Sequence, residues 1–248
     1  MDTPGHVIAV TGANRGIGAA IAIELSRRGC VVGCLSRHGD APPVDAADLA
    51  SRLVPLHCDV TDEASMRAAF AALAERAGRL NGLVNNAGVH ITGPSDRFAT
   101  AEFATVMLTN ATSVFAACRE AYPHFLAAGG GTIVNIGSFF DKLGVKQNAA
   151  YCASKAAVGA ITRCLAVEWA SKRVRVIDVA PGYVRTDLNR AAFAPGKPLT
   201  DYLRHRIPSG EPTDPDSVAR LVAALFCEDI PFLTGETIYI DGGQSIAH

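Results

Sequence analysis

Short apolar runs recur along the chain at His6–Thr11, Cys30–Leu35, Leu53–Cys58, Gly82–Asn85, Thr132–Ile136, Val174–Val179 and Thr237–Ile240. Each is rich in Val, Ile or Leu without polar alternation, the pattern of a strand covered on both faces. The longer stretches between them carry helical spacing. Ile17, Ala20, Ile21 and Leu25 form one stripe, closed by Arg27, Arg28 and Gly29; Met66, Phe70, Leu73 and Ala77 form another, closed by Gly78. Seven strands alternating with helices predict an α/β fold, a doubly wound parallel sheet with helices on both faces, because parallel neighbours need helical crossovers. The rhythm runs without a linker, which predicts one domain over residues 1–248. It lapses from about Thr186 to Pro215, a stretch carrying Pro195, Pro198, Pro208, Pro212 and Pro215. An irregular segment that long predicts a substrate loop or lid at about 186–215.

The first strand runs straight into Thr11-Gly12-Ala13-Asn14-Arg15-Gly16-Ile17-Gly18 and then the first helix. Glycines there permit a tight turn, a close backbone approach to a pyrophosphate, and close packing of helix on strand. The helix N-terminus offers free N–H groups and a positive dipole end to the anion. The spacing is G-x-x-x-G-x-G, without the Gly-Lys-Ser/Thr of an ATPase loop. Further along, Tyr151 and Lys155 stand four residues apart at the start of a long helical pattern, Ala149 to Trp169. Four residues turn a helix by about 400°, so the two side chains share a face. An ammonium beside a phenol is expected to lower its pKa from about 10 by about 1–3 units, bringing proton transfer towards neutral pH. Ser138 closes the fifth strand at its C-terminal end, where open α/β sheets bind ligands.

Composition narrows the function classes. A chain that is 49% hydrophobic and 19% charged suits a well-covered core, and a formal net charge of -1 recruits neither nucleic acid nor an anionic membrane. No apolar run reaches the roughly 18 residues of a membrane span. Met1 to His6 lacks a basic region followed by an apolar stretch, so the expected location is the cytoplasm. Seven cysteines without a Cys-x-x-Cys pair predict reduced core thiols, and the scattered histidines predict no metal site.

These residues together resemble the short-chain dehydrogenase/reductase family in its single-domain form. Thr11–Gly18 matches its T-G-x-x-x-G-x-G cofactor turn, and Asn85-Asn86-Ala87-Gly88 its N-N-A-G element. Asn110 stands at its helical asparagine, Ser138, Tyr151 and Lys155 at its serine and Y-x-x-x-K. Pro181-Gly182-Tyr183-Val184-Arg185-Thr186 matches P-G-x-x-x-T, and the resemblance runs on to Ile240-Asp241-Gly242-Gly243. The departures are Cys152, where serine is common, and Asn81, where aspartate is frequent.

The resemblance implies a Rossmann-type enzyme interconverting an alcohol and a carbonyl. By it, Ser138 polarises the carbonyl and Tyr151 donates the proton in reduction. Lys155 lowers the tyrosine's pKa and holds the nicotinamide ribose, while Asn110 maintains a water relay behind the lysine. The cofactor-binding set it implies is Gly12, Asn14, Arg15, Gly16, Ile17, Gly18, Ser36, Arg37, Asp59, Val60, Asn86, Ala87, Gly88, Tyr151, Lys155, Pro181, Gly182, Val184 and Thr186. NAD-specific members carry an acid just past the second strand; here Ser36-Arg37-His38 follows, and the first acid is Asp40. Arg15 and Arg37 therefore point to a ribose 2′-phosphate, that is, to NADP(H).

The expected partner is a small or medium-sized carbonyl or alcohol, with His90, Phe139, Phe140, Gln147, Asn148 and Tyr183 open either to substrate contact or to packing. A carrier-protein ester is the alternative substrate, but Leu126–Gly131 is uncharged and Val167 stands where such reductases often have arginine. The lid from Arg185 to Arg206 carries Arg185, Arg190, Lys197, Arg204 and Arg206 against Asp187 and Asp201, so 5 − 2 = +3. The helical segments Glu102–Leu126 and Ala149–Ala170 carry apolar residues on more than one face, which predicts a homo-oligomer, a dimer or tetramer. Against the epimerase-like extended branch stands its different glycine spacing, and no C-terminal substrate domain is expected. Against a non-catalytic cofactor sensor stands the complete set Asn110, Ser138, Tyr151 and Lys155.

Overall fold

The structure, a computed structural model, describes residues 5–186 and 198–247. Seven strands form one sheet: β1 (Val7–Thr11), β2 (Val31–Ser36), β3 (Leu53–His57), β4 (Gly82–Asn85), β5 (Gly131–Ile136), β6 (Val174–Pro181) and β7 (Thr237–Ile240). Their order is β3-β2-β1-β4-β5-β6-β7, and every pairing is parallel. The apolar runs of β1, β2, β4, β5 and β6 become doubly covered strands, as expected, whereas the edge strands β3 and β7 stay partly exposed. Pro55 is tolerated because β3 lies at the sheet edge.

One face of the sheet packs on α3 (Glu63–Ala77), α5 (Ser113–Ala127) and α6 (Ala149–Trp169), burying Phe70, Leu73, Phe125 and Leu165. The other face packs on α1 (Gly16–Arg27), with the one-turn α2 (Ala47–Ala50) beside it, and on α8 (Pro215–Cys227), burying Ile21, Leu25, Val222 and Phe226. The stop signals act as read: Gly29 and Gly78 take φ of +86° and +80°, where a side chain would be strained. Asp62 caps α3 by accepting from the Ala64 amide. Sequence order turns back at β1, whose neighbours are β2 and β4, so the crossovers diverge there and open a crevice at the strands' C-terminal ends.

Two expectations are corrected. The segment Glu102–Leu126 is not one helix: α4 (Thr100–Met107) passes into a π turn, Leu108–Thr112, before α5. That inserted turn carries Asn110 inward. The stretch from 186 to 215 is not irregular throughout, because α7 (Pro198–Arg206) lies within it. Proline at the first helical position costs no hydrogen bond, and Leu203 and Ile207 bury an apolar edge. The ends of the stretch are clipped together: Thr213 donates to the Tyr183 carbonyl at 3.0 Å and Arg185 to the Thr213 carbonyl at 2.8 Å. Residues 187–197, with Arg190 and Lys197, lie outside the described residues.

Among the described residues no helix is long and apolar enough to cross a membrane. The seven cysteines are free thiols.

Candidate active site

A cleft of about 580 Å³ opens where the strand order reverses, at the C-terminal ends of β1, β2 and β4. Asn14, Arg15, Gly16 and Ile17 line it from the first turn, with Gly12 at its base. Ser36 and Arg37 follow β2, Asp59 and Val60 follow β3, and Asn86, Ala87 and Gly88 follow β4; Thr186 closes the far side. All of these stand in the set expected from the sequence. Leu35, His38, Cys58, Thr61, Val89, Thr105 and Thr109 also line the cleft and were not expected. The last two come from the α4–π-turn segment, which no pattern along the chain places over β4.

The turn is built around its glycines. A Cβ on Gly18 would stand 2.2 Å from the Gly12 carbonyl oxygen, and one on Gly12 would meet Ala87 and Asn86 at 3.1–3.5 Å. Gly12 and Gly16 take positive φ of 65° and 57°. The Thr11 hydroxyl accepts from the Asn86 and Ala87 amides, each at 3.0 Å, while Asn86 Nδ2 donates to the Thr11 and Gly12 carbonyls at 2.9 and 3.2 Å. The loop after β4 is thereby stapled to the turn after β1, and the backbone is left close to whatever occupies the cleft. These residues fit a dinucleotide: a glycine cradle, a helix N-terminus, and two exposed guanidiniums, Arg15 and Arg37, on one rim. Asp59, facing Arg37, is held below the usual carboxylate range, chiefly by the Thr61 amide and hydroxyl.

Pro181, Gly182 and Val184 do not line this cleft. Pro181 ends β6, Gly182 packs on Asp241, and Val184 bridges to Thr213, so they shape the adjoining wall. Tyr151 and Lys155 also stand outside its lining and adjoin it through Val89 and His90.

Beyond that end of the cleft, β5 delivers Ser138 in extended conformation, its Oγ accepting from the Phe140 amide at 3.2 Å. The Ser138 hydroxyl, from the end of β5, acts on the Tyr151 phenol and pulls its pKa down against the effect of burial. Tyr151 lies among aromatic rings: His90 at 4.5 Å between centroids and Phe140 at 6.0 Å, with Tyr183 against Phe139 and Phe140. Phe139 and Phe140 are buried and act as packing, whereas His90 and Gln147 are exposed. His90 Nε2 is hydrogen-bonded to Asn148 Oδ1 at 2.5 Å. Asn110 accepts from the Val89 amide at 2.8 Å and donates to the Val89 carbonyl at 2.9 Å and Ser154 Oγ at 3.2 Å. Its side chain ties the loop after β4 to α6.

Lys155 is one helical turn from Tyr151, on the same face, and is buried. Its Nζ donates to the Ile136 carbonyl at 2.7 Å and stands 5.6 Å from the Tyr151 ring centroid. Burial lowers its pKa to about 8, against the upward pull of Asp178. Tyr151 departs from expectation. Its pKa is raised, because burial of the phenolate outweighs the pull of the Ser138 hydroxyl and the ammonium is engaged by Ile136 instead.

The comparisons agree with this geometry. A family model described as enoyl-(acyl carrier protein) reductase matches residues 12–245. D-threitol dehydrogenase of Mycolicibacterium smegmatis is 34% identical over 98% of this chain and 94% of its own length. Human 3-oxoacyl-[acyl-carrier-protein] reductase is 33% identical over 97% of this chain and 98% of its own. The chain belongs to the short-chain dehydrogenase/reductase family. Among solved structures, a gluconate 5-dehydrogenase from Burkholderia cenocepacia J2315, crystallised with NADP and tartrate, superposes with a TM-score of 0.89. It is 31% identical, covering 98% of this chain and 96% of that one. As a short-chain dehydrogenase/reductase, the protein is an oxidoreductase of alcohol and carbonyl groups.

Behind the site of this family member runs a polar row that the sequence reading missed. Asn85, Asn135, Asp178 and Thr237 are in register across β4, β5, β6 and β7, at the ends of β4 and β5, the middle of β6 and the start of β7. Asn85 Nδ2 donates to Asn135 Oδ1, and Asn135 Nδ2 to Thr162 Oγ1, both at 2.9 Å; Thr237 Oγ1 donates to Asp178 Oδ2 at 3.2 Å. The available signal was a lone acid inside the apolar run Val174–Val179.

Proposed function

We propose that the protein is an NADP(H)-dependent reductase or dehydrogenase of small or medium-sized carbonyls and secondary alcohols, with Tyr151 as its proton-transfer group. The observation that carries this reading is Tyr151 one helical turn from buried Lys155 on α6, with Ser138 at the end of β5 acting on its phenol and a cleft rimmed by Arg15 and Arg37 adjoining. When bound, the nicotinamide would supply or accept the hydride. The residues of the chain handle the oxygen. Ser138, with its Oγ fixed by the Phe140 amide, donates to the carbonyl oxygen; Tyr151 delivers the proton. A raised tyrosine pKa keeps that proton in place at neutral pH, which suits the reductive direction. Lys155 contributes a positive charge and a hydrogen bond to the nicotinamide ribose. Asn110 keeps the loop after β4 and α6 in register and sustains a water path behind the lysine.

Arg15 and Arg37 support a preference for the 2′-phosphate, and Asp40, which does not line the cleft, provides no carboxylate to repel it. The D-threitol and gluconate relatives support a small polar substrate, with His90 and Asn148 beside Tyr151 as its polar contacts. The second reading, reduction of an acyl-carrier-protein ester, is favoured by relatives such as the human enzyme, but the uncharged Leu126–Gly131 segment gives an acidic carrier no docking site there. Residues 1–248 act as one catalytic unit, with the 186–215 stretch as its lid, working in the cytoplasm as a homo-oligomer. Phe103, Leu108 and Phe115 on the α4–α5 side, with Val167 on α6, support that assembly as exposed apolar positions.

The deciding experiment follows NADPH and NADH consumption across a panel of free ketones, keto-sugars and a 3-oxoacyl carrier-protein ester. Turnover with free ketones and NADPH is expected. No turnover, or turnover best with the carrier ester, overturns the assignment.

A further inference from the structure

The Asp178 carboxylate is a buried charge that the proton-transfer scheme leaves unused. It has no exposed surface, its Oδ2 accepts from Thr237, and its Oδ1 has no hydrogen-bond partner among the described residues. The nearby Gly137 amide is already donated to the Val179 carbonyl at 2.8 Å. A Cβ on Gly137 would come 2.5 Å from Oδ1, and one on Gly159 would come 4.0 Å from Oδ2. The carboxylate therefore sits between the end of β5 and the turn of α6 that follows Lys155. Lys155 Nζ holds the carbonyl of Ile136, the other half of the Ile136–Gly137 peptide. Ammonium and carboxylate thus flank a single peptide group, and both are buried.

Burial draws the Asp178 carboxyl up to about 6, so a carboxylate with one oxygen unpartnered stays ionised at neutral pH only with an opposite charge nearby. The other groups around it do not supply one. Asp141, in the turn after Ser138, repels it, and Tyr239 on β7 donates to Asp141 Oδ2 at 2.6 Å. Lys142 lies over the Tyr239 ring, and Arg163 on α6 acts on Tyr239. Lys155 is the cation that favours the ionised carboxylate, and Asp178 in turn is the group that holds Lys155 up against burial.

We propose that Asp178 is the buried counter-ion of Lys155, a positioning residue that keeps the ammonium charged and aimed at the site across neutral pH. The catalytic consequence rests on the role assigned to Lys155 above; the charge pairing does not. Burial alone drives Lys155 towards its neutral form, and losing the facing carboxylate removes the opposing pull. Without it the lysine gives up its proton at lower pH.

The test compares Asp178→Asn with the parent in NADPH-dependent ketone reduction between pH 6 and 9. The ratio of variant to parent turnover is expected to fall about tenfold from the acid to the alkaline end, as the alkaline limb moves down by about one unit. A merely structural role lowers activity by the same factor throughout, and that result overturns the proposal. An activity-independent measurement guards against a variant that does not fold and against failure of the functional assignment. The Asp178 carboxyl ¹³C resonance is titrated in the parent and in Lys155→Met. A midpoint raised by about one unit or more in Lys155→Met supports the pairing. An unmoved midpoint overturns it, whether or not any ketone is turned over.

Discussion

Lys155 donates its ammonium to the Ile136 carbonyl over 2.7 Å, so the side chain is anchored to the end of β5 before any ligand reaches it. Burial at that position brings its pKa down to about 8, while Tyr151 is pushed up, so the lysine is the first of the two to titrate. Reduction is therefore expected to hold steady up to about pH 8 and then fall roughly tenfold per unit as Lys155 loses its proton. Turnover measured at saturating NADPH in a buffer series checks this. A rate that stays flat to pH 10 contradicts it.

Removing the Tyr151 hydroxyl separates chemistry from binding. Tyr151→Phe preserves the ring and its packing against His90 and Phe140 but deletes the proton donor. Turnover is expected to drop by about 10²–10⁴-fold while the NADPH dissociation constant stays within a fewfold of the parent's. Fluorescence titration and steady-state kinetics read the two effects, and turnover within threefold of the parent would refute the role.

Cofactor choice follows from the guanidiniums on the cleft rim. Arg15 and Arg37 are exposed, so solvent screens each contact, and the preference for NADPH over NADH is expected at about tenfold, the low end for a charged hydrogen bond. Arg37→Asp removes the attraction and installs a repulsion, which should erase or invert the ratio of kcat/KM values. A parent enzyme that favours NADH shows that neither arginine reads a 2′-phosphate.

Gly18→Ala tests the close approach of helix to turn. The new methyl group would meet the Gly12 carbonyl and the Asn86 amide, neither of which can retreat without breaking the staple to β4. Overpacking of this kind costs about 1–3 kcal/mol, or roughly 2–12 °C in Tm for a chain of this size. A thermal melt is expected to show that loss, with weaker NADPH binding alongside. An unchanged melt and affinity would mean that the turn relaxes freely.

The exposed apolar residues of the α4–α5 side predict assembly. Light scattering at micromolar concentration should give a mass at least twice the 25.9 kDa of one chain. Phe115→Glu should shift the protein towards smaller species, since it buries a charge in any interface formed there. A parent that is monomeric at that concentration disproves the expectation.

Several features were legible along the chain because each depends on near neighbours in sequence. The unbroken apolar runs announced strands covered on both faces, and the glycines at 12, 16 and 18 announced a turn that β1 and α1 complete. The four-residue spacing placed Tyr151 and Lys155 on one face of α6. What the sequence could not decide was how buried groups share their charges across elements. The expected lowering of the Tyr151 pKa failed because burial of the phenol raises it, while the Lys155 ammonium donates to Ile136 on β5, a contact set by how α6 packs on the sheet rather than by helical spacing. The π turn that carries Asn110 inward and the helix inside the 186–215 stretch were likewise settled by packing, where burial of a few side chains overrides local pattern. Periodicity determines which face of an element is covered; only the tertiary structure decides which charge lies opposite which.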